Sequence, residues 1–400
     1  MTGGRPTWLP RALLALSGVL LAAIVLTVLL GSSRVKPGPF YAIPAHLPKG
    51  PAGTLIREQE IPDFYAGTTA YRILYKSTGL DGRATAVSGL VIFPEGRAPR
   101  GGRKIIAFAH ASVGLESRCA PSLQREGHPQ TIAGLGEFIA DGYVVVATDY
   151  QGLGTAGPHP YLVGRVEAEN VLDSVRAAHR LRQAHAGREF ALWGISQGGQ
   201  AALFAGQIAP TYAPRLHLVG VAAGAPIVDL VGFFNANLST PDGKVLLAMA
   251  LRSWEQVYPD AGMEQVVTTD ELSDVQALAG YCLYGSQFAS EVPASLALGV
   301  TFIGAPPWGT EPWRSILAQN TLGDTPISVP VLLIQGQADT VLPPAQTTAL
   351  AERLCAQGEQ VDLRLYPTVE DQEAGIVAAP DVVAWIAARF AGRTAPQTCA

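Results

Sequence analysis

The stretch 190–200 constrains the fold of this chain more than any other part of its sequence. An apolar run stops at Gly194, the residues Gly194-Ile-Ser-Gln-Gly198 fit the pattern G-x-S-x-G, and small apolar residues that favour a helix follow. The pattern is typical of a strand that turns sharply into a helix, with a serine held at the strained corner. Glycine is required two positions before and after the serine, because side chains there would clash as strand and helix pack closely. We therefore predict that Ser196 stands above the edge of a sheet as a nucleophile.

Hydropathy periodicity predicts an α/β fold around this turn. Segments 69–76 and 86–93 alternate between apolar and polar residues, with a glycine turn between them, and predict an antiparallel hairpin. Helical periodicity is found at 170–182 and 381–390. Apolar runs of the kind found in buried parallel strands lie at 105–109, 143–148, 190–193, 218–223, 331–335 and 361–366. Strand–helix alternation after an antiparallel start predicts a doubly wound, mostly parallel sheet.

The interval 228–325 breaks this alternation. It contains no convincing strand, only helix-like pieces such as 244–257 and 270–283, which prolines and tryptophans interrupt. We predict a helical cap, inserted into a core that consists of 37–227 and 326–400. A mobile, apolar cap would exclude water from a site beneath it. The alternative is a set of helices that merely cover the edge of the sheet.

The N-terminal residues 1–36 predict export. Residues 12–30 form an apolar run that Arg5 and Arg11 precede, and its length is just enough to span a bilayer. No clear cleavage site follows, so the segment is either a signal peptide or a membrane anchor. Since the arginines stay inside, the bulk of the chain is expected to be secreted or anchored to the outer face of the cytoplasmic membrane. The proline-rich stretch 37–62 is expected to wrap the surface as an ordered leader.

The cysteine content fits an exported protein. An even number of cysteines outside the cytoplasm suggests two disulfides. The four cysteines (Cys119, Cys282, Cys355 and Cys399) allow three pairings, of which we prefer Cys119–Cys282 and Cys355–Cys399. Their spacing suits no zinc site, and the other potential ligands show no metal-ligand spacing, so we expect no metal.

Charge and motif spacing argue against two kinds of binding site. The formal net charge is -5 and no stripe of Lys and Arg is present, which disfavours nucleic-acid binding. Residues 152–157 match G-x-G-x-x-G, but a dinucleotide site needs a helix that opens directly from those glycines. Pro158 and Pro160 prevent this, so we interpret the segment as a loop at the carboxyl edge of the sheet, near the entrance to the site.

A serine nucleophile needs a base, and the base needs a group that orients it. In folds with this turn the chain order is serine, acid, histidine. Asp339 follows an apolar run and a glycine turn, and is the candidate acid. No histidine follows it, because all seven lie earlier in the chain. The backbone amides of Gln197 and Ser112 are the candidate oxyanion hole.

Several longer motifs resemble the secretory lipases of the α/β-hydrolase superfamily, which include the fungal lipase A type. The resemblance runs from about residue 39 to residue 399. The matching segments are 71–77, 110–114, 119–122, 142–154, 157–161, 193–199, 336–343 and 385–392. The resemblance implies hydrolysis of carboxylic esters in lipid-like substrates, no cofactor, and a helical cap that shields the acyl chain.

The chain departs from the family pattern at two places. The residue before the nucleophile, usually His or Tyr, is Ile195. The family loop Tyr-Pro-Gly-x-Asp-His-Gly corresponds without a gap to residues 366–372, so the base position falls on Asp371. Three accounts stay open: Asp371 acts as the base, His110 supplies the base from a neighbouring strand, or hydrolysis is lost and an acyl-binding pocket remains.

We therefore predict an exported lipase or esterase that acts on lipid or other acyl esters, with Ser196, Asp339 and Asp371 at its catalytic positions. A catalytically impaired lipid-binding protein is one alternative. An acyltransferase that uses the same serine is another, although the sequence offers no acceptor site to support it.

Overall fold

The fold is centred on one nine-stranded sheet. The computed structural model describes residues 36–124, 131–284, 288–299, 301–323, 325–370 and 373–399. The strands are β1 (Leu55–Ile61), β2 (Thr68–Thr78), β3 (Ala84–Pro94), β4 (Arg103–Ala109), β5 (Val144–Thr148), β6 (Ala186–Ile195), β7 (His217–Gly224), β8 (Val331–Gly336) and β9 (Val361–Tyr366). Their order across the sheet is β1-β2-β3-β5-β4-β6-β7-β8-β9.

Strand direction divides the sheet into two parts. The strands β1, β2 and β3 are antiparallel to one another, and β3 is antiparallel to β5. From β5 through β9 every neighbouring pair is parallel, so the carboxyl ends of these strands meet at one edge. This arrangement confirms the predicted α/β fold with a doubly wound, mostly parallel sheet.

Helices cover both faces of the sheet. They are α1 (Leu135–Ala140), α2 (Gly164–Arg180), α3 (Gln197–Tyr212), α4 (Leu230–Asn237), α5 (Pro241–Val257), α6 (Leu272–Ala279), α7 (Phe288–Ala297), α8 (Trp313–Gln319), α9 (Pro344–Ala356), α10 (Glu373–Val377) and α11 (Ala379–Phe390). Because side chains alternate along a strand, Leu192 of β6 packs towards α2, α3 and α9, whereas Trp193 packs towards α1 and α11. Full burial of a side chain such as Leu192 contributes about 1.5–3 kcal/mol to folding.

One expectation from the sequence was wrong. The stretch 37–62 is not only a surface leader, because Leu55–Ile61 forms β1 and pairs antiparallel with β2. This strand escapes detection because it lies at the edge of the sheet, where three successive residues, 58–60, are exposed and polar. Polar and charged side chains on an edge strand discourage pairing with other molecules and hide the alternation that marks a strand.

The segment between β7 and β8 is helical. Among its described residues, α4 through α8 and short 3-10 turns supply the regular structure, and no strand joins the main sheet. The division into a core and an inserted cap at 228–325 stays a prediction. No described helix combines the length and the apolar character that crossing a bilayer requires. The apolar segment 12–30 lies outside the described residues.

Two disulfides tie distant segments together. Cys119 is bonded to Cys282, which links the loop after β4 to the helical segment, and Cys355 is bonded to Cys399, which links α9 to the C-terminal residues. This is the pairing preferred from the sequence. No other cysteine remains in the chain.

Candidate active site

The turn between β6 and α3 holds Ser196 in a strained conformation. Its backbone angles are φ 55° and ψ -116°, a region that side chains of L-amino acids rarely adopt. The amide of Ser196 donates to the carbonyl of Gly224 at 2.9 Å, so the neighbouring strand β7 holds the corner. The predicted turn is therefore present. Ser196 itself is buried, with 2% of its surface exposed.

The glycines that flank Ser196 are sterically required. A Cβ atom on Gly194 would lie 2.0 Å from the carbonyl oxygen of Gly198, and one on Gly198 would lie 1.9 Å from the carbonyl oxygen of Ala109. Backbone atoms cannot move away as a flexible side chain could. The close approach of β6, α3 and the end of β4 thus explains the G-x-S-x-G spacing.

The two oxyanion candidates lie on the segments that this close approach brings together. Gln197 is the first residue of α3, so its backbone amide has no acceptor within the helix. Gly198 packs against the end of β4, and the loop that carries Ser112 begins directly after that strand. The Ser112 hydroxyl is hydrogen-bonded to the Tyr161 hydroxyl at 2.8 Å. The role of the two amides in stabilising an oxyanion stays a prediction.

Asp339 lies in a turn that follows β8. Its Oδ1 accepts from the amides of Val341 at 3.0 Å and Leu342 at 2.7 Å, and its Oδ2 accepts from Gln335 Nε2 at 2.9 Å. The residue is 4% exposed. Burial raises the pKa of the Asp339 carboxyl, and the three hydrogen bonds oppose that rise. The carboxyl group is therefore fixed in position at the carboxyl edge of the sheet, two strands from β6.

The described residues on either side of the predicted base position are anchored. On one side, the amide of Ala338 donates to the carbonyl of Val369 at 3.1 Å, beside the Asp339 turn. On the other side, α10 packs on the nucleophile turn so closely that a Cβ atom on Gly375 would lie 2.4 Å from Ile195 Cδ1. Asp371 itself lies outside the described residues, and its assignment stays a prediction.

His110 is engaged in shaping the loop after β4. Its Nδ1 donates to the carbonyl of Ala111 at 2.7 Å, and its Nε2 lies 3.4 Å from the carbonyl of Asp149. Burial lowers the pKa of His110 to about 4, and its ring packs against the ring of Tyr150. Among the described residues it makes no hydrogen bond to Ser196, which favours a structural role over that of a substitute base.

Sequence reasoning missed a buried polar cluster around the Gln197 side chain. Gln197 Nε2 donates to Glu167 Oε1 at 2.6 Å and to His159 Nε2 at 3.0 Å. The predicted helix, 170–182, begins too late to include Glu167, whereas the observed helix α2 begins at Gly164 and places Glu167 four residues before Val171 on its buried face. A carboxylate at such a position needs a partner, and here the partner is the residue next to Ser196.

The helical segment between β7 and β8 contains a chain of buried aromatic side chains. Phe234 of α4, Trp254 of α5 and Trp313 of α8 form a chain of ring contacts, with centroids 5.9 Å and 6.1 Å apart. Trp254 Nε1 donates to the carbonyl of Tyr161 at 2.8 Å, which joins these aromatic side chains to the loop before α2. Within the described ranges, no group of three His, Cys, Asp or Glu residues is placed to hold a metal ion.

Sequence comparison places the chain among lipases. The model of the family described as secretory lipase matches residues 132–398. A protein of Mycobacterium tuberculosis named a probable inactive lipase is 27% identical over 381 residues, which cover 89% of this chain and 82% of that protein. A secreted triacylglycerol lipase of Malassezia globosa is 27% identical over 380 residues, which cover 84% of this chain and 74% of that protein.

Structural comparison supports the same fold. The crystal structure of Candida antarctica lipase A matches with a TM-score of 0.77 and 23% identity, over 90% of this chain and 87% of that one. The cell wall degrading esterase LipA of Xanthomonas oryzae matches with a TM-score of 0.69 and 21% identity, over 86% of this chain and 98% of that one.

Proposed function

Because the chain belongs to the secretory lipase family, we propose that it is a carboxylic-ester hydrolase that acts on lipid-like acyl esters. The observation that supports this most is the strained Ser196 corner, with φ 55° at a residue that is not glycine. Such strain persists only where surrounding structure enforces it, and it is typical of functional sites. Here the flanking glycines and β7 enforce a conformation that holds the hydroxyl on the turn.

The proposed reaction gives each of the predicted site residues a role. Ser196 Oγ attacks the ester carbonyl, and the amides of Gln197 and Ser112 donate to the oxygen that becomes negative. The base at position 371 takes the serine proton and returns it to the leaving alcohol, and Asp339 orients or supports that base. Water then releases the acyl group by the same steps in reverse order.

An aspartate at the base position limits the expected rate. The unperturbed pKa of Asp is about 2.5 units below that of His, so Asp accepts the serine proton less readily. A nearby second carboxylate, such as Asp339, would raise the pKa of one member of the pair and so partly compensate. We therefore propose slow Ser196-dependent turnover rather than the rate of a complete triad.

The same proposal includes export and a cap. The apolar run 12–30, preceded by arginines, would direct the chain across the membrane and would either be cleaved or remain as an anchor. The two disulfides support an oxidising compartment outside the cytoplasm. The helices of 228–325, with their cluster of aromatic side chains, would cover the acyl chain as an inserted cap.

A second candidate function is supported by the same loop. No histidine follows Asp339 in the chain, and one relative is itself named a probable inactive lipase. Loss of the catalytic base with retention of the fold would leave a protein that binds acyl chains or lipid esters without cleaving them.

Labelling with a fluorophosphonate probe tests the first function against the second. We expect the wild type to be labelled, the Ser196→Ala variant to be unlabelled, and the control variant Ser315→Ala, at an exposed residue of α8, to be labelled like the wild type. Hydrolysis of p-nitrophenyl esters of increasing chain length then defines the acyl preference. If the wild type is not labelled but binds a fluorescent fatty acid, the binding function replaces the hydrolytic one.

A further inference from the structure

The side chain of Gln197 tethers the residue whose backbone amide forms part of the proposed oxyanion hole. Both N–H groups of its amide are used, one on Glu167 Oε1 and one on His159 Nε2. The side chain cannot shift without breaking these hydrogen bonds, and its own backbone is the first turn of α3. The cluster therefore restrains the position of the Gln197 amide.

The two acceptors of this tether are themselves fixed. Glu167 Oε1 also accepts from the amide of Leu162 at 3.0 Å. His159 Nδ1 donates to the carbonyl of Gln151 at 2.9 Å, which leaves Nε2 as the acceptor that Gln197 requires. Ser253 of α5 donates to the carbonyl of His159 at 2.6 Å. The helical segment thus helps to hold His159 in place.

The cluster is buried and carries no compensating charge. Glu167, His159 and Gln197 are at most 1% exposed. The titratable groups that face Glu167 are His159, Tyr150 and Tyr161, and no described lysine or arginine pairs with it. Glu167 Oε2 is buried and has no hydrogen-bond partner among the described residues. An ionised carboxylate here would be a poorly compensated buried charge.

Burial accordingly keeps both titratable members neutral. It raises the pKa of Glu167 to about 8 and lowers the pKa of His159 to about 3. The 3.9 Å approach between Glu167 Oε1 and His159 Nε2 is therefore not an ion pair at neutral pH. A neutral Glu167 can hold Gln197 without placing a negative charge near a developing oxyanion.

We propose that Glu167 and His159 are positioning residues that hold the Gln197 amide at the oxyanion, and that Glu167 performs this role in its protonated form. The inference rests on the proposed Ser196 chemistry and adds a regulatory consequence to it. When Glu167 loses its proton, its charge opposes the negative charge that forms on the ester oxygen. The rate therefore falls on the alkaline side as Glu167 ionises.

Four variants test this proposal. Hydrolysis of esters of a soluble alcohol is measured for each variant, both in the wild type and in an Asp371→His background. We expect Glu167→Leu to lower kcat about 10–100-fold with little change in KM, since a displaced donor loses part of the 10²–10³-fold effect of one oxyanion group. Glu167→Gln keeps the acceptor and cannot ionise, so it should rescue kcat at pH 7 and remove the alkaline decline.

The controls Glu169→Leu and Glu169→Gln alter a neighbouring carboxylate that pairs with Arg165 instead. They should keep the parent's kcat and pH profile. An unchanged kcat in Glu167→Leu, or an unchanged alkaline decline in Glu167→Gln, overturns the proposal.

A measurement that does not depend on turnover separates this inference from the proposed function. Hydrogen–deuterium exchange of peptides that cover residues 194–200 should become faster in Glu167→Leu and stay at the wild-type rate in Glu169→Leu. If neither the wild type nor Asp371→His shows Ser196-dependent turnover, the proposed function fails, and exchange alone decides whether the tether exists. Equal exchange in both leucine variants, at equal melting temperatures, would show that Glu167 does not restrain the turn.

Discussion

The Ser196 turn and the segment after β9 meet where Gly375 packs against Ile195, but different interactions hold them in place. At the turn, backbone sterics determine the structure: the approach of Gly198 to Ala109 leaves no room for a Cβ atom. At the loop, a backbone hydrogen bond from Ala338 holds Val369, and packing against the Ile195 side chain holds Gly375. The chemistry of the loop depends on which side chain stands between those ends.

If residue 371 is the base position, this difference would let its side chain change while the Ser196 turn stays intact. A substitution at the turn disturbs β4, β6 and α3 together, so it affects the folded state. A substitution of one side chain in the loop leaves the backbone anchors unchanged. Selection for folding therefore protects the turn independently of catalysis, and an intact turn alone does not establish a complete triad.

The largest expected effect comes from Asp371→His, which sharpens this comparison. If the loop retains the geometry of the family, an imidazole at this position restores a general base close to Ser196. Loss of a triad histidine costs about 10⁶-fold in a serine protease, so we expect a gain of about 10²–10⁴-fold in kcat/KM on p-nitrophenyl esters.

A matched control places the same imidazole one residue away. Glu370→His should leave kcat/KM within a few-fold of the wild type, because residue 370 is exposed and corresponds to a position outside the base in the family loop. Equal gains in both variants would mean that any nearby imidazole accelerates hydrolysis. No gain in either would contradict the assignment of position 371.

The second-largest expected effect tests the Ser196 turn, where backbone sterics determine the structure. Gly198→Ala places a Cβ atom 1.9 Å from the Ala109 carbonyl oxygen, which forces β4 and α3 apart. We expect a loss of about 3 kcal/mol or more in the free energy of unfolding, measured in urea, and loss of fluorophosphonate labelling. Gly101→Ala, where a Cβ atom meets nothing within 4 Å, is the control and should change stability by less than about 1 kcal/mol. Similar stabilities for the two variants would show that the turn tolerates side chains.

The same difference between backbone sterics and side-chain contacts determines how much of the structure the sequence predicts. The strand 361–366 and the Ser196 turn are predictable because periodicity and glycine spacing express local sterics directly. The edge strand β1 is missed because its exposed side chains carry no hydropathy signal. The contact of Glu167 with Gln197 joins residues 30 positions apart, so only the packing of α2 against α3 reveals it. Sequence patterns thus identify the Ser196 turn but not the groups that hold its neighbours.

Removal of either disulfide is expected to have a smaller effect, and its size should differ between the two bonds. The Cys119–Cys282 bond ties the loop that carries Ser112 to the helical segment, whereas Cys355–Cys399 lies at the edge strand β9, away from the site. Replacing either pair by serine should cost about 2–4 kcal/mol in the free energy of unfolding, with the larger loss for the pair separated by 163 residues. Only the Cys119→Ser/Cys282→Ser variant should also lower fluorophosphonate labelling. An equal loss of labelling in both double variants would mean that general stability, rather than the position of the loop after β4, controls the site.

The smallest expected effect measures the strain at the turn itself. Ser196→Ala keeps a Cβ atom at φ 55° and ψ -116°, whereas Ser196→Gly adopts these angles without steric conflict. Glycine also makes the unfolded chain more flexible, which offsets part of the relief. We therefore expect Ser196→Gly to be more stable than Ser196→Ala by about 1 kcal/mol in urea unfolding, whereas Ala201→Gly, within α3, should destabilise by about 1 kcal/mol. If Ser196→Gly is instead the less stable of the two, the corner stores no strain. The conformation of Ser196 would then be an ordinary consequence of chain direction, and it would no longer argue for a nucleophile.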